Sequence, residues 1–131
     1  MPRSVSELLH KPFGDLRLED VAQIIEKVGD ERETIFFEKK SQISPHSLGK
    51  ACSSFANMMG GLLVVGVADE GNELVGIEPI AAEAQLWVKD SLRGNVIPLP
   101  PFRARWLELD GGPRGILLVL VEESSTTPHL W

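Results

Sequence analysis

The chain has one cysteine in 131 residues. A single thiol excludes a disulfide framework within the chain and a cysteine zinc cluster. Cys52 falls on an amphipathic helical pattern, where a free cysteine behaves as a small buried apolar residue. Long apolar runs are also missing. No stretch reaches the roughly 18–20 residues of a membrane-spanning helix, and charge interrupts the N-terminal MPRSVSELLHKPF before a signal-peptide core can develop. A cytoplasmic protein with no membrane contact is the expectation. Positive charge is scarce: 13 Lys and Arg stand against 19 Asp and Glu, a formal net charge of −6. That argues against a general polyanion binder, which carries a basic surplus. It leaves room for a local basic face. Nine of the acids lie in residues 1–38 beside five bases, whereas from residue 39 on eight bases meet ten acids. The three histidines, His10, His46 and His129, show no ligand spacing, so no zinc site is expected. No GxxxxGK[ST] run exists, so neither is an ATP site of the P-loop kind.

What is present fits one soluble domain with a real core. Ser4–His10 reads as a short helical turn ended by Pro12 and Gly14. Leu18, Val21, Ile24, Ile25 and Val28 recur at helical spacing, with acids in the first turn and Lys27 in the last, so a helix is predicted over 18–28. Thr34–Lys40 is β-branched and aromatic and predicts a strand. Ser44-Pro45 has the chemistry of an N-cap with proline at the first helical position, opening a helix to about Met58. Gly60-Gly61 ends it. Leu62–Val67 is a continuous apolar run, the sign of a central strand buried on both faces. Asp69-Glu70-Gly71-Asn72 has turn chemistry, with a return strand over Glu73–Ile77. A third helix is predicted within Pro79–Leu92. An alternating strand over Phe102–Leu109 then pairs through Asp110-Gly111-Gly112-Pro113 with a buried strand over Gly115–Val121. The order predicts an α+β fold: a mixed sheet, built largely of hairpins, with three helices packed on it.

Several polar residues have competing readings. Lys39 and Lys40 could contact phosphate, as could Lys50 on the following helix; the plain alternative is an exposed strand end. Asn57 could cap its helix in a left-handed conformation or donate to a phosphate. Arg103 and Arg105 share one strand face, either a phosphate-tracking pair or a solvated sheet surface. Gly60 and Gly61 permit positive φ and close backbone approach, which serves packing as readily as a ligand.

Four blocks, in order, carry a family resemblance: Glu33-Thr-Ile-Phe-Phe-Glu38-Lys39-Lys40; Phe55-Ala56-Asn57-Met58-Met59-Gly60-Gly61; Leu63-Val64-Val65-Gly66-Val67-Ala68-Asp69 with Glu73-Leu74-Val75-Gly76-Ile77; and Val119 to His129 with Ser124 or Ser125 and Pro128. Together they resemble the Schlafen AlbA-like domain family across about residues 30–131, leaving 1–29 as a helical lead-in. Met58 and Met59 depart from the family, which carries a threonine there. The family's element after Pro128-His129 is absent, so a truncated domain with a further domain beyond residue 131 is the expectation.

The resemblance implies a nucleic-acid-binding module, for DNA or RNA, within a larger regulatory or defence protein. Its animal branch implies an alternative, a metal-dependent endoribonuclease on structured RNA such as tRNA. In that case three carboxylates, mapping onto Glu33, Glu38 and Asp69, would be both catalytic and metal-binding. Such carboxylates suit Mg²⁺ or Mn²⁺, which can stabilise phosphoryl charge and help generate hydroxide. Glu33 and Glu38 are five residues apart, however, and would face opposite sides of an ideal strand. A plain alternative pairs Glu38 with Lys40. A third reading is a protein-interaction or homodimerisation domain built on exposed strand edges.

Overall fold

The structure is a computed structural model of the chain and describes residues 5–28, 36–124 and 128–130. Its elements are α1 (Val5–Leu8), a 3₁₀ turn (Phe13–Asp15), α2 (Leu18–Val28), β1 (Phe37–Lys40), α3 (Pro45–Asn57), β2 (Gly61–Val65), α4 (Ala84–Arg93), β3 (Phe102–Glu108) and β4 (Gly115–Val121). The α+β class is as predicted. The strands form one sheet in the order β1-β2-β4-β3. β1 and β2 are parallel, with Glu38 opposite Leu63 and Lys40 opposite Val65. β4 runs antiparallel to both β2 and β3. The sheet is mixed because β1, α3 and β2 make a crossover unit, while β3 and β4 make the hairpin.

Period-2 alternation splits the central strands between two cores. Leu63, Val65, Leu117, Val119 and Val121 face α3 and α4 and pack on Leu48, Cys52, Phe55, Val88 and Leu92. Leu62, Val64, Ile116, Leu118 and Leu120 face the other way, onto Leu8, Phe13, Val21, Ile24, Ile25 and Val28. With helices on both faces, β2 and β4 are buried along their whole length. That explains why their sequences read as unbroken apolar runs. The lead-in is thus half of the second core.

Polar contacts within the lead-in tie its first segment to α2. Asp20, in the first turn of α2, accepts from the Arg17 amide at 2.8 Å and from Lys11 Nζ at 3.0 Å, with His10 Nε2 at 3.3 Å. The Arg17 amide first, then Lys11, holds its carboxyl below the ordinary value of 3.8 against the opposing cost of desolvation, with His10 adding to the lowering.

Some boundaries differ from the predicted ones. β1 begins at Phe37, and Thr34 and Ile35 lie outside the described residues. The Glu73–Ile77 segment forms no strand; it makes single bridges, Val67 to Leu74 and Ile77 to Gly115. Gly66 O there accepts from both Val75 N and Gly76 N, at 2.9 and 2.8 Å, and Gly76 takes φ +78°, which breaks the ladder. α4 starts at Ala84 because Glu83 caps it, accepting from Gln85 N and Leu86 N. At the end of α3, Gly60 takes φ +80° and a Cβ there would sit 2.7 Å from Val121 O, so the Gly-Gly turn is needed for packing. No helix among the described residues is long and apolar enough to cross a membrane.

Candidate functional site

The crossover unit sets the geometry. β1 and β2 end at the same edge of the sheet, where Lys40 O accepts from Gly66 N at 2.7 Å and Val67 N at 3.0 Å. α3 begins at that edge. A capping box fixes its start, with Ser47 N donating to Ser44 Oγ at 3.2 Å and Ser44 N to Ser47 Oγ at 3.1 Å, and Pro45 in the first turn. In α/β sheets, the crevice beyond the C-terminal ends of parallel strands is the usual ligand position. Lys40 lies at this edge. His46 and Lys50 are exposed one turn apart on α3. Helix geometry, which the histidine spacing alone does not reveal, places His46 beside Lys50.

Glu38 and Lys40 point to the α3–α4 side of β1. Their side chains meet at 2.7 Å, with 16% and 30% exposure. Glu38 is therefore a partly sheltered carboxylate already paired with a cation. Burial, and after it the charge of Glu38, pushes the Cys52 thiol up to about 12. Lys39 points to the opposite side and is buried, donating to Asn72 Oδ1 in the turn after β2. This corrects the exposed-strand-end reading: one residue of alternation turns Lys39 inward and leaves Lys40 on the other face.

Of the three candidate carboxylates, Glu38 and Asp69 lie among the described residues. Glu33 lies outside them. Glu38 faces the α3–α4 layer, whereas Asp69 is exposed in the turn that Lys39 reaches from the other face. Among the described residues no group of three His, Cys, Asp or Glu side chains could hold a metal ion.

Three further candidates serve as ties. Asn57 is the last residue of α3 and not a left-handed cap; the positive φ is at Gly60, and no non-glycine described residue has one. Its side chain reaches His129 instead. Arg103 and Arg105 do share a face; the lead-in packs against it at Arg105, which is half-buried, while Arg103 stays exposed. Arg105 Nη1 donates to Phe13 O at 2.8 Å and Leu16 O at 2.7 Å. The Arg103 guanidinium carbon lies 5.3 Å from the Phe13 ring centre. Sequence spacing could not show this, because the partners are about ninety residues away.

No curated protein matches the chain. Among solved structures, the DIP2311 protein of Corynebacterium diphtheriae is similar at 19% identity and TM-score 0.49, over 72% of this chain. The alignment spans 18% of that protein's length. The family described as Schlafen, AlbA_2 matches residues 31–130, which contain the crossover unit, the β3–β4 hairpin and the closing Pro128-His129 segment. The chain belongs to the Schlafen AlbA_2 family.

Proposed function

We propose that this domain is a nucleic-acid-binding module, working within a larger regulatory or defence protein. What carries the reading is the family match over residues 31–130. The exposed His46 and Lys50 at the C-terminal edge of the parallel strands, beside Lys40, supply the local chemistry. Cations at such an edge contact phosphates and set register, without reading sequence. In a chain of net charge −6 a local cluster of this kind engages few phosphates, so binding is weak. The pairing of Glu38 with Lys40 gives a metal-dependent nuclease no support.

Fluorescence anisotropy with labelled single- and double-stranded DNA and RNA tests the reading. Binding is expected to weaken as salt rises from about 50 to about 200 mM. Lys50→Ala is expected to lower the salt slope by about one, the signature of one lost phosphate contact. Absence of binding, or binding indifferent to salt, would overturn it.

A further inference from the structure

A cleft of about 600 Å³ opens on the α4 side, between Lys89, the Pro100-Pro101-Phe102 wall, Glu123 and His129. This volume is within the range of small-molecule sites. His129 is buried and its ring is fixed. Asn57 holds both its backbone amide and its carbonyl, and Nδ1 faces Pro98 O. A carbonyl only accepts, so Nδ1 carries a proton, and in the tautomer protonated there alone Nε2 presents a lone pair. Among the described residues Nε2 is the one buried side-chain nitrogen or oxygen without a hydrogen-bond partner. A buried acceptor left unsatisfied calls for an explanation, and a ligand donor is one.

We infer that this cleft seats an unstacked, amino-bearing nucleobase of a single strand, with its amino group donating to His129 Nε2. The inference rests on the nucleic-acid reading above. The lone pair selects a donor, which cytosine and adenine carry at the position where uracil and hypoxanthine carry a carbonyl. The prolines and Phe102 offer flat apolar surface to a planar ring. Lys89, the cation among the lining residues, can attract the phosphate. Nε2 exposes essentially no surface in the free protein, so the base edge must part the rim to reach it.

The test titrates CMP and UMP into the chain carrying ¹⁵N-labelled histidine, and follows affinity and the His129 Nε2 resonance by NMR. CMP is expected to bind roughly tenfold tighter than UMP, because UMP sets a carbonyl against the lone pair. The Nε2 resonance is expected to move with CMP. Lys89→Ala, at an exposed position that keeps the fold, is expected to weaken both nucleotides alike. His129→Phe is expected to abolish the preference. Equal affinities, or a motionless Nε2 resonance, would overturn the inference even if His129→Phe fails to fold. Salt-dependent strand binding without a cytosine preference would also overturn it, while leaving the module reading intact. CMP binding with no strand binding of any kind would contradict the module reading instead.

Discussion

The Asn57 side chain brackets the backbone of His129: Nδ2 donates to His129 O at 2.9 Å, and Oδ1 accepts from His129 N at 2.8 Å. An amide side chain thus stands in for a neighbouring strand, joining the end of α3 to the closing segment. Leu130 continues the pairing with Ile97 through two backbone hydrogen bonds of 2.8 and 2.9 Å.

Asn57→Ala removes both bonds and leaves two backbone groups of a buried residue unpaired. The expected loss is about 1–3 kcal/mol, since unsatisfied buried groups cost more than the bond itself contributes. Thermal unfolding reads it as a fall of several degrees in Tm. An unchanged Tm would show that the bracket contributes nothing.

Arg105→Met keeps the aliphatic length and removes the donor to Phe13 O and Leu16 O. Hydrogen bonds from a charged donor contribute roughly 1.5–3 kcal/mol. Faster amide exchange is expected along the 3₁₀ turn and the start of α2, ahead of any change in β4. Uniform acceleration across the sheet would contradict a local role.

Asp20 makes stability depend on pH in the acid range. Its folded-state pKa lies below the ordinary 3.8, so the stabilisation is complete above that value and is lost as pH falls through the folded value. Asp20→Asn is expected to be less stable at neutral pH and to show a flatter stability curve below about pH 4. Denaturant melts of both proteins across that range give the comparison; parallel curves would remove Asp20 from the account.

Cys52 is expected to resist thiol reagents in the folded state at pH 8, because its thiol is pushed up to about 12 and the thiolate is the reactive form. Denaturant should expose it to rapid labelling. Fast labelling of native protein would mean that α3 opens away from the sheet.

The helix over 18–28 and the strand over Gly115–Val121 were legible because each is local: one has a 3.6-residue period, and the other is an apolar run between turn residues. Ser44-Pro45 marked the start of α3 for the same reason. The fates of the polar candidates were not legible, because their partners are distant in sequence. Lys39 meets Asn72 across 33 residues, Asn57 meets His129 across 72, and Arg105 meets Phe13 across 92. Periodicity assigns a side chain to a face but does not say what covers that face. For Arg105 the cover is the lead-in, which lies outside the family match. The Glu38–Lys40 pair was the exception, because its two members lie on one strand, two residues apart.

Nucleic-acid binding is proposed for the edge that carries Lys40, His46 and Lys50. One anisotropy series tests it most directly: a labelled single strand titrated with the wild-type chain and with Lys50→Glu, at about 50 and about 200 mM salt. Affinity for the wild type is expected to fall at least about tenfold over that range, as two or three phosphate contacts dictate, and Lys50→Glu to bind more weakly at both salts. Wild-type binding that ignores salt, or a Lys50→Glu chain that binds as well as the wild type, would contradict the account.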